Sequence, residues 1–230
     1  MSVQNFYEKM PKSLLRKSDN PNESIHGLRI PSRLCINSPS GTGKTNYLIN
    51  LISMFSAGKG TFSDILILTK DADEPLYNYL QLKSPQIQIK EGLHNLPDLK
   101  KFDKDENHLV VVDDLVLAKD QSQVCEWFIK CRKSNVTIVY ISQSFFKIPI
   151  IVRQNSNYMI ILKAGNKRSL NLMLSEFSVG CSKAQLLGMY EYATSQKLNA
   201  LVIDVEESDP DRKFRRNFNE FLSPSDYGLA

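Results

Sequence analysis

Residues 38–45 read Ser-Pro-Ser-Gly-Thr-Gly-Lys-Thr. Two glycines one residue apart let a backbone turn its N–H groups inward, and the lysine and hydroxyl that follow add a cation and a metal-directed oxygen. That is the chemistry of a phosphate-binding loop. In this reading Ser40, Gly41, Thr42, Gly43, Lys44 and Thr45 cradle the β-phosphate of a nucleotide. Lys44 reaches the β/γ oxygens, and the Thr45 hydroxyl takes one position on Mg2+. Ser38 stands where the first glycine of the pattern usually is, a position that supplies no group touching phosphate. A dinucleotide fingerprint fails, because Asn46 occupies the place of its third glycine.

A second set of residues complements the first. Leu109-Val110-Val111-Val112-Asp113-Asp114 is an apolar run ending in two acids, the form of a Walker B motif. Asp113 holds Mg2+, directly or through water, and Asp114 orients or deprotonates the attacking water. Glutamate is common at the second position, and aspartate is also common in plain surface turns after buried strands. The apolar run Thr137–Ile141 continues through Ser142 to Gln143, whose amide both donates and accepts and so suits a γ-phosphate or its water. A GTPase would need a guanine-reading Asn-Lys-x-Asp; here Asn166-Lys167 continues Arg168-Ser169. The three motifs together favour an ATP hydrolase over a nucleotide kinase.

The elements that must position these groups follow from periodicity. Strands are expected at Arg33–Asn37, Ile65–Leu68, Ile87–Ile89, His108–Val112, Thr137–Ile141, Tyr158–Leu162 and Leu201–Val205. A helix after the glycine loop carries Tyr47, Leu48, Leu51, Ile52 and Phe55 on one stripe, and Gly58 and Gly60 stop it. A later helix carries Val124, Cys125, Phe128 and Ile129 and runs to about Lys133. Another carries Leu170, Met173, Leu174 and Phe177, and a third opens with a capping box from Ser182 to Gln185. Continuous apolar strands alternating with helices predict a three-layer α/β domain around a mostly parallel sheet.

The 230 residues, 42% hydrophobic and 23% charged, suit one good-sized domain and exclude disorder and coiled coil. No apolar run approaches the roughly 18 residues of a membrane span, and the polar, Pro11-interrupted start is no signal peptide. The four cysteines, Cys35, Cys125, Cys131 and Cys181, are scattered and read as reduced core thiols of an intracellular protein. A net charge of +4 permits a nucleic-acid partner without demanding one. Residues 1–28 read as an arm, 29–222 as the catalytic domain and 223–230 as a tail.

The segments SPSGTGKTNYLINLI, LVVVDDL, CRKSNVTIVYISQSFFKIPIIVRQNSNYMIILK and LVIDVEESDPDRKFRRNF together resemble the FtsK/HerA superfamily, and within it the poxvirus-type genome-packaging ATPases of large DNA viruses and virophages. The resemblance spans about residues 30–222. It implies a RecA-like P-loop core, a ring-shaped homo-oligomer, ATP and Mg2+ as cofactors, and movement of double-stranded DNA into a preformed capsid. Its partners are then duplex DNA held without sequence preference, copies of itself and a capsid vertex. Its place is the virion or the assembly site in the host cytoplasm, with no membrane. Carried over by position, Lys44 and Thr45 match the phosphate loop, Asp113 and Asp114 the acidic pair, and Gln143 the sensor glutamine. An arginine finger delivered to a neighbouring subunit is expected at Arg153, then Arg168, then Arg132. DNA-facing cations are expected either at Lys163, Lys167 and Arg168 or at Lys100, Lys101 and Lys104. Readings as a helicase loader, a small-molecule kinase or a nucleotide-binding structural component stay open on the sequence.

Overall fold

The computed structural model describes residues 3–11, 19–178 and 180–228. Five strands alternate with helices from the start: β1 (Arg33–Asn37), β2 (Asp64–Thr69), β3 (Ile87–Glu91), β4 (His108–Asp113) and β5 (Val136–Ser142). After them come β6 (Tyr158–Ile161), β7 (Leu201–Asp204), β8 (Phe214–Arg216) and β9 (Glu220–Phe221). Among the described residues these form one sheet in the order β3-β2-β4-β5-β1-β6-β7-β8-β9. It is parallel from β3 to β6 and antiparallel from β6 to β9. β1, β4, β5, β6 and β7 are buried along their whole length, which is why they read as apolar runs without alternation.

Side chains alternate between two cores. Leu34, Ile36, Leu109 and Val111 face one layer with α2 (Lys44–Phe55) and α3 (Pro75–Lys83). Cys35, Val110, Val112 and Met159 face the other, with α4 (Ser122–Lys130), α5 (Ile150–Asn155), α6 (Lys167–Phe177) and α7 (Lys183–Ala193). The capping box of α7 forms as the sequence implies, Ser182 accepting from the Gln185 backbone and Gln185 from that of Ser182. No helix among the described residues is long and apolar enough to cross a membrane.

Three expectations change. The core stripe of α4 is Val124, Trp127, Phe128 and then Cys131, spaced as a helical face, while Ile129 is 54% exposed. The helix ends at Lys130 and tightens into a 3-10 turn over Cys131–Ser134. Of the cysteines, Cys35 and Cys131 are buried but Cys125 and Cys181 are only partly so; all four are unpaired.

The boundaries move too. Of the expected arm, residues 12–18 lie outside the described residues, but the stretch from Asn20 is built into the domain. α1 (Glu23–His26) places His26 edge-on against Phe55 of α2, and Leu28 is fully buried. Asn22 donates to the carbonyls of Phe55 (2.8 Å) and Ala57 (3.0 Å) and to Thr61 Oγ1 (3.1 Å). At the other end Pro224 is buried, and its carbonyl accepts from Gln185 Nε2 of α7 at 2.9 Å. The expected tail therefore packs against α7 at least through Tyr227.

Asn22 gives the Phe55 and Ala57 carbonyls a second donor beside the Thr61 and Gly60 N–H groups, so its loss removes three hydrogen bonds that tie this stretch to the end of α2. Asn22→Ala is expected to lower unfolding stability by about 1–3 kcal/mol in urea titrations. A value near zero would return this stretch to the status of a loose arm.

Candidate active site

All of the motif residues gather at the C-terminal ends of the parallel strands. β1 stops at Asn37, and the Ser38 N–H donates to the Ser142 carbonyl at the end of β5 (3.1 Å). Gly41 (φ +75°) and Gly43 (φ +99°) both take left-handed backbone, which is why those two positions are glycine. Gly43 caps α2 and no side chain bonds into that helix start, so its first-turn N–H groups point at the space an anion would fill. Ser38 is not in left-handed backbone. Its hydroxyl sits 2.5 Å from Thr42 Oγ1 and donates to the Lys163 carbonyl at 3.1 Å, tying the loop to the segment after β6. The departure from glycine thus stiffens the loop.

Lys44 is only 8% exposed. Its Nζ donates to the Pro39 carbonyl at 2.8 Å, across the mouth of its own loop. Burial holds the ammonium below its ordinary pKa, against the pull of Asp113 and Asp114. A half-desolvated cation resting on one neutral carbonyl gains charge-assisted bonds when phosphate oxygens arrive.

Asp113 ends β4 and is buried; Tyr77 of α3 donates its hydroxyl to the carboxylate at 2.5 Å. Burial pushes this carboxyl up to about 6, with the Tyr77 bond and Lys44 opposing. A buried carboxylate this short of positive charge, beside the loop that carries Thr45, fits a divalent cation. Asp114 follows in left-handed backbone (φ +54°), its N–H bonded to the Ile141 carbonyl at 3.1 Å. That turn swings its carboxylate away from Asp113 to accept Gln143 Nε2 (2.5 Å) and Lys70 Nζ (2.6 Å). Asp114, Gln143 and Lys70 border an open cavity of about 790 Å3 that His94 and Lys147 also line.

The structure thus brings together Lys44, Asp113, Asp114 and Gln143 and adds two residues that sequence reasoning misses. Lys70 directly follows β2, the strand beside β4, and its position at a strand end is the available signal. Tyr77 sits in a helix whose periodicity is too weak to read, although Pro75 at its first turn marks one.

The arginines and lysines separate. Arg153, the first expectation for a finger, is 12% exposed, ion-paired to Glu176 of α6 and stacked 4.6 Å over Phe145. Arg168 is exposed, over Phe146 at 5.5 Å. Arg132 lies at the opposite end of the sheet, 3.9 Å from Glu206. Lys163, Lys167 and Arg168 are exposed beside the phosphate loop. Lys104 instead lies near the N-terminal end of β4, where its carbonyl accepts from Asn135, so the two basic groups occupy opposite ends of the strands.

Comparison with known proteins agrees with this geometry. The family model described as Poxvirus A32 protein matches residues 26–212. The DNA packaging protein OPG160 of Vaccinia virus (strain Copenhagen) is 24% identical over 194 residues, covering 79% of this chain and 71% of that protein. Its Monkeypox virus counterpart is 24% identical, covering 79% of this chain and 64% of its own. Among solved structures, the genome packaging NTPase B204 from Sulfolobus turreted icosahedral virus 2, in complex with ATP-gammaS, matches with a TM-score of 0.57 and 13% identity. The match covers 85% of this chain and all of B204 (100%). ATPases 2 and 3 of EssC from Geobacillus thermodenitrificans match with a TM-score of 0.56 at 8% identity, over 84% of this chain and 40% of that one. At these identities the structural matches establish the fold.

The raised carboxyl of Asp113 has a stability consequence. The fold binds this proton more tightly than the unfolded chain, whose value is 3.8, so the contribution is favourable at low pH and is lost as pH rises through about 6. Asp113→Asn removes a buried charge, and in nucleotide-free protein at pH 8 it should raise stability by about 1–3 kcal/mol. The gain should shrink below pH 5. Urea midpoints across pH measure it, and a variant less stable than wild type at pH 8 contradicts the assignment.

Proposed function

Because the chain belongs to the Poxvirus A32 protein family, whose model covers residues 26–212, we propose that it is an ATP-hydrolysing motor that drives double-stranded viral DNA into a preformed capsid. The observation that carries this reading is the meeting of Lys44, Asp113, Asp114 and Gln143 at the C-terminal ends of β1, β4 and β5, in a chain related to proteins named for DNA packaging.

Mg2+, held by Thr45 and Asp113, neutralises charge on the triphosphate when bound. The chain's own residues do the rest. Lys44 exchanges the Pro39 carbonyl for β/γ oxygens. Gln143 orients the attacking water, and Asp114 accepts its proton at a carboxylate oxygen. Lys70 pairs with that carboxylate at rest, at the oxygen that also accepts from Gln143, so the ammonium must move off for a water to take its place. Lys163 and Lys167, both exposed, supply phosphate contacts that hold duplex DNA without reading bases, which makes binding sequence-independent and strongly salt-dependent. The motor works as a ring of identical subunits at the capsid vertex, in the virion or at the cytoplasmic assembly site. With Arg153 engaged by Glu176, the cation offered to a neighbour's γ-phosphate is Arg168.

ATP hydrolysis measured with and without duplex DNA, beside the oligomeric mass, tests the proposal. Duplex DNA should stimulate turnover of an assembled ring; phosphate transfer to a nucleoside monophosphate would identify a kinase, and absence of turnover a structural nucleotide binder. Lys44→Ala and Asp114→Asn should each fold and lower turnover by about 100-fold or more. Asp114→Asn should retain Mg-ATP binding, because Asp113 is intact. Wild-type turnover in folded Lys44→Ala removes the phosphate-loop assignment.

Arg168→Ala should bind ATP normally and hydrolyse it poorly. Mixed with Lys44→Ala, it should recover part of its activity in mixed rings, where an intact Lys44 pocket faces a neighbour that still has Arg168. Flat activity across mixing ratios, with subunit exchange demonstrated, rules out the between-subunit role.

A further inference from the structure

The sheet order gives a bound triphosphate a direction. Asp113, Asp114 and Gln143 end β4 and β5, which lie on one side of β1. The γ-phosphate belongs on that side. The nucleoside must therefore leave the loop on the other side, toward β6 and β7.

On that side the connection from α7 to β7 lies against the loop. Leu198 in this connection takes left-handed backbone (φ +73°), a conformation that leucine rarely adopts, and the residue is 40% exposed. The neighbouring strand holds it there. The Ala200 N–H donates to Asn217 Oδ1 (3.0 Å), the Asn217 N–H to the Ala200 carbonyl (2.9 Å), and Arg216 Nη2 to Gln196 Oε1 (3.0 Å). The Leu198 side chain rests directly on the phosphate loop: a Cβ added to Gly43 would fall 2.1 Å from Leu198 Cδ2. An exposed apolar side chain in disfavoured backbone persists where its surroundings over-determine it, and such places cluster at ligand clamps.

We propose that Leu198 is the apolar wall of a nucleoside subsite, taking the ribose and base of a nucleoside triphosphate whose phosphates occupy residues 40–45. This rests on the reading of those residues as the triphosphate loop. Contact with the flat face of a base removes Leu198 from water, which explains an exposed leucine beside an otherwise polar loop.

The test compares equilibrium binding of Mg-ATP with that of inorganic tripolyphosphate, which has the phosphates without the nucleoside. Leu198→Gly removes the side chain and tolerates the backbone angle, so the loop keeps its shape. It should weaken Mg-ATP binding about tenfold, the effect of losing most of one apolar contact, and leave tripolyphosphate within about twofold. Leu198→Met, which keeps an apolar wall, should bind both ligands about as wild type does. Equal weakening of both ligands in Leu198→Gly overturns the proposal, since Leu198 would then only brace the loop. Unchanged Mg-ATP binding overturns it as well. Failure of the underlying site is distinguishable: there, folded Lys44→Ala would bind both ligands as tightly as wild type.

Discussion

The insertion of β5 between β1 and β4 is the constraint from which the site follows. The ladders pair Asn37 with Ser142 and Asp113 with Ile141, so the phosphate loop, the polar tip of β5 and the acidic end of β4 emerge side by side. A slip of one residue in either ladder would exchange the two faces of a strand, burying Asp114 and turning Gln143 from it. Both faces of β5 are packed, by α2 on one side and by α4 and α5 on the other, which fixes the register. Positioning of this quality comes from strands and helices and owes little to loops.

At rest every charged group of the site has a partner inside the protein. Lys44 holds the Pro39 carbonyl, Asp113 the Tyr77 hydroxyl, and Asp114 both Lys70 and Gln143. Partly buried charges require such partners, since an uncompensated one is strongly destabilising. The partners are also replaceable, because a triphosphate and a divalent cation offer Lys44 and Asp113 opposite charge in direct contact, where their hydrogen-bond partners are now neutral. Binding and catalysis then proceed by exchange of partners within a framework already built. Arg153 shows the contrast: its ion pair with Glu176 joins α5 to α6, and its guanidinium stacks on Phe145.

Much of this architecture is legible in the amino-acid sequence. The loop, the acidic pair, Gln143 and seven of the strands stand at the expected places, because buried parallel strands are apolar runs and glycines mark the turn. Legibility fails where local signals are weak. The β8–β9 hairpin is short, α3 is only faintly amphipathic, and the α4 stripe reads one residue out of phase, which places Ile129 in the core instead of Trp127. The stretch from Asn20 to Leu28 resembles an arm because it is polar. Its polar side chains in fact donate to backbone groups at the end of α2, a role that composition cannot report.

By itself the sequence determined the chemistry available: a glycine-opened loop ending in lysine and threonine, two acids after an apolar strand, and one glutamine after another. These are properties of residue type and short spacing, and short-range physics suffices to interpret them. Tertiary structure alone decided which of these groups meet, because hydrogen-bond ladders join residues far apart in the chain. It placed Lys70 on Asp114 across 44 positions and Tyr77 on Asp113 across 36, and it set Leu198 on Gly43. It also paired Arg153 with Glu176, since whether an arginine is free or paired depends on what packs beside it.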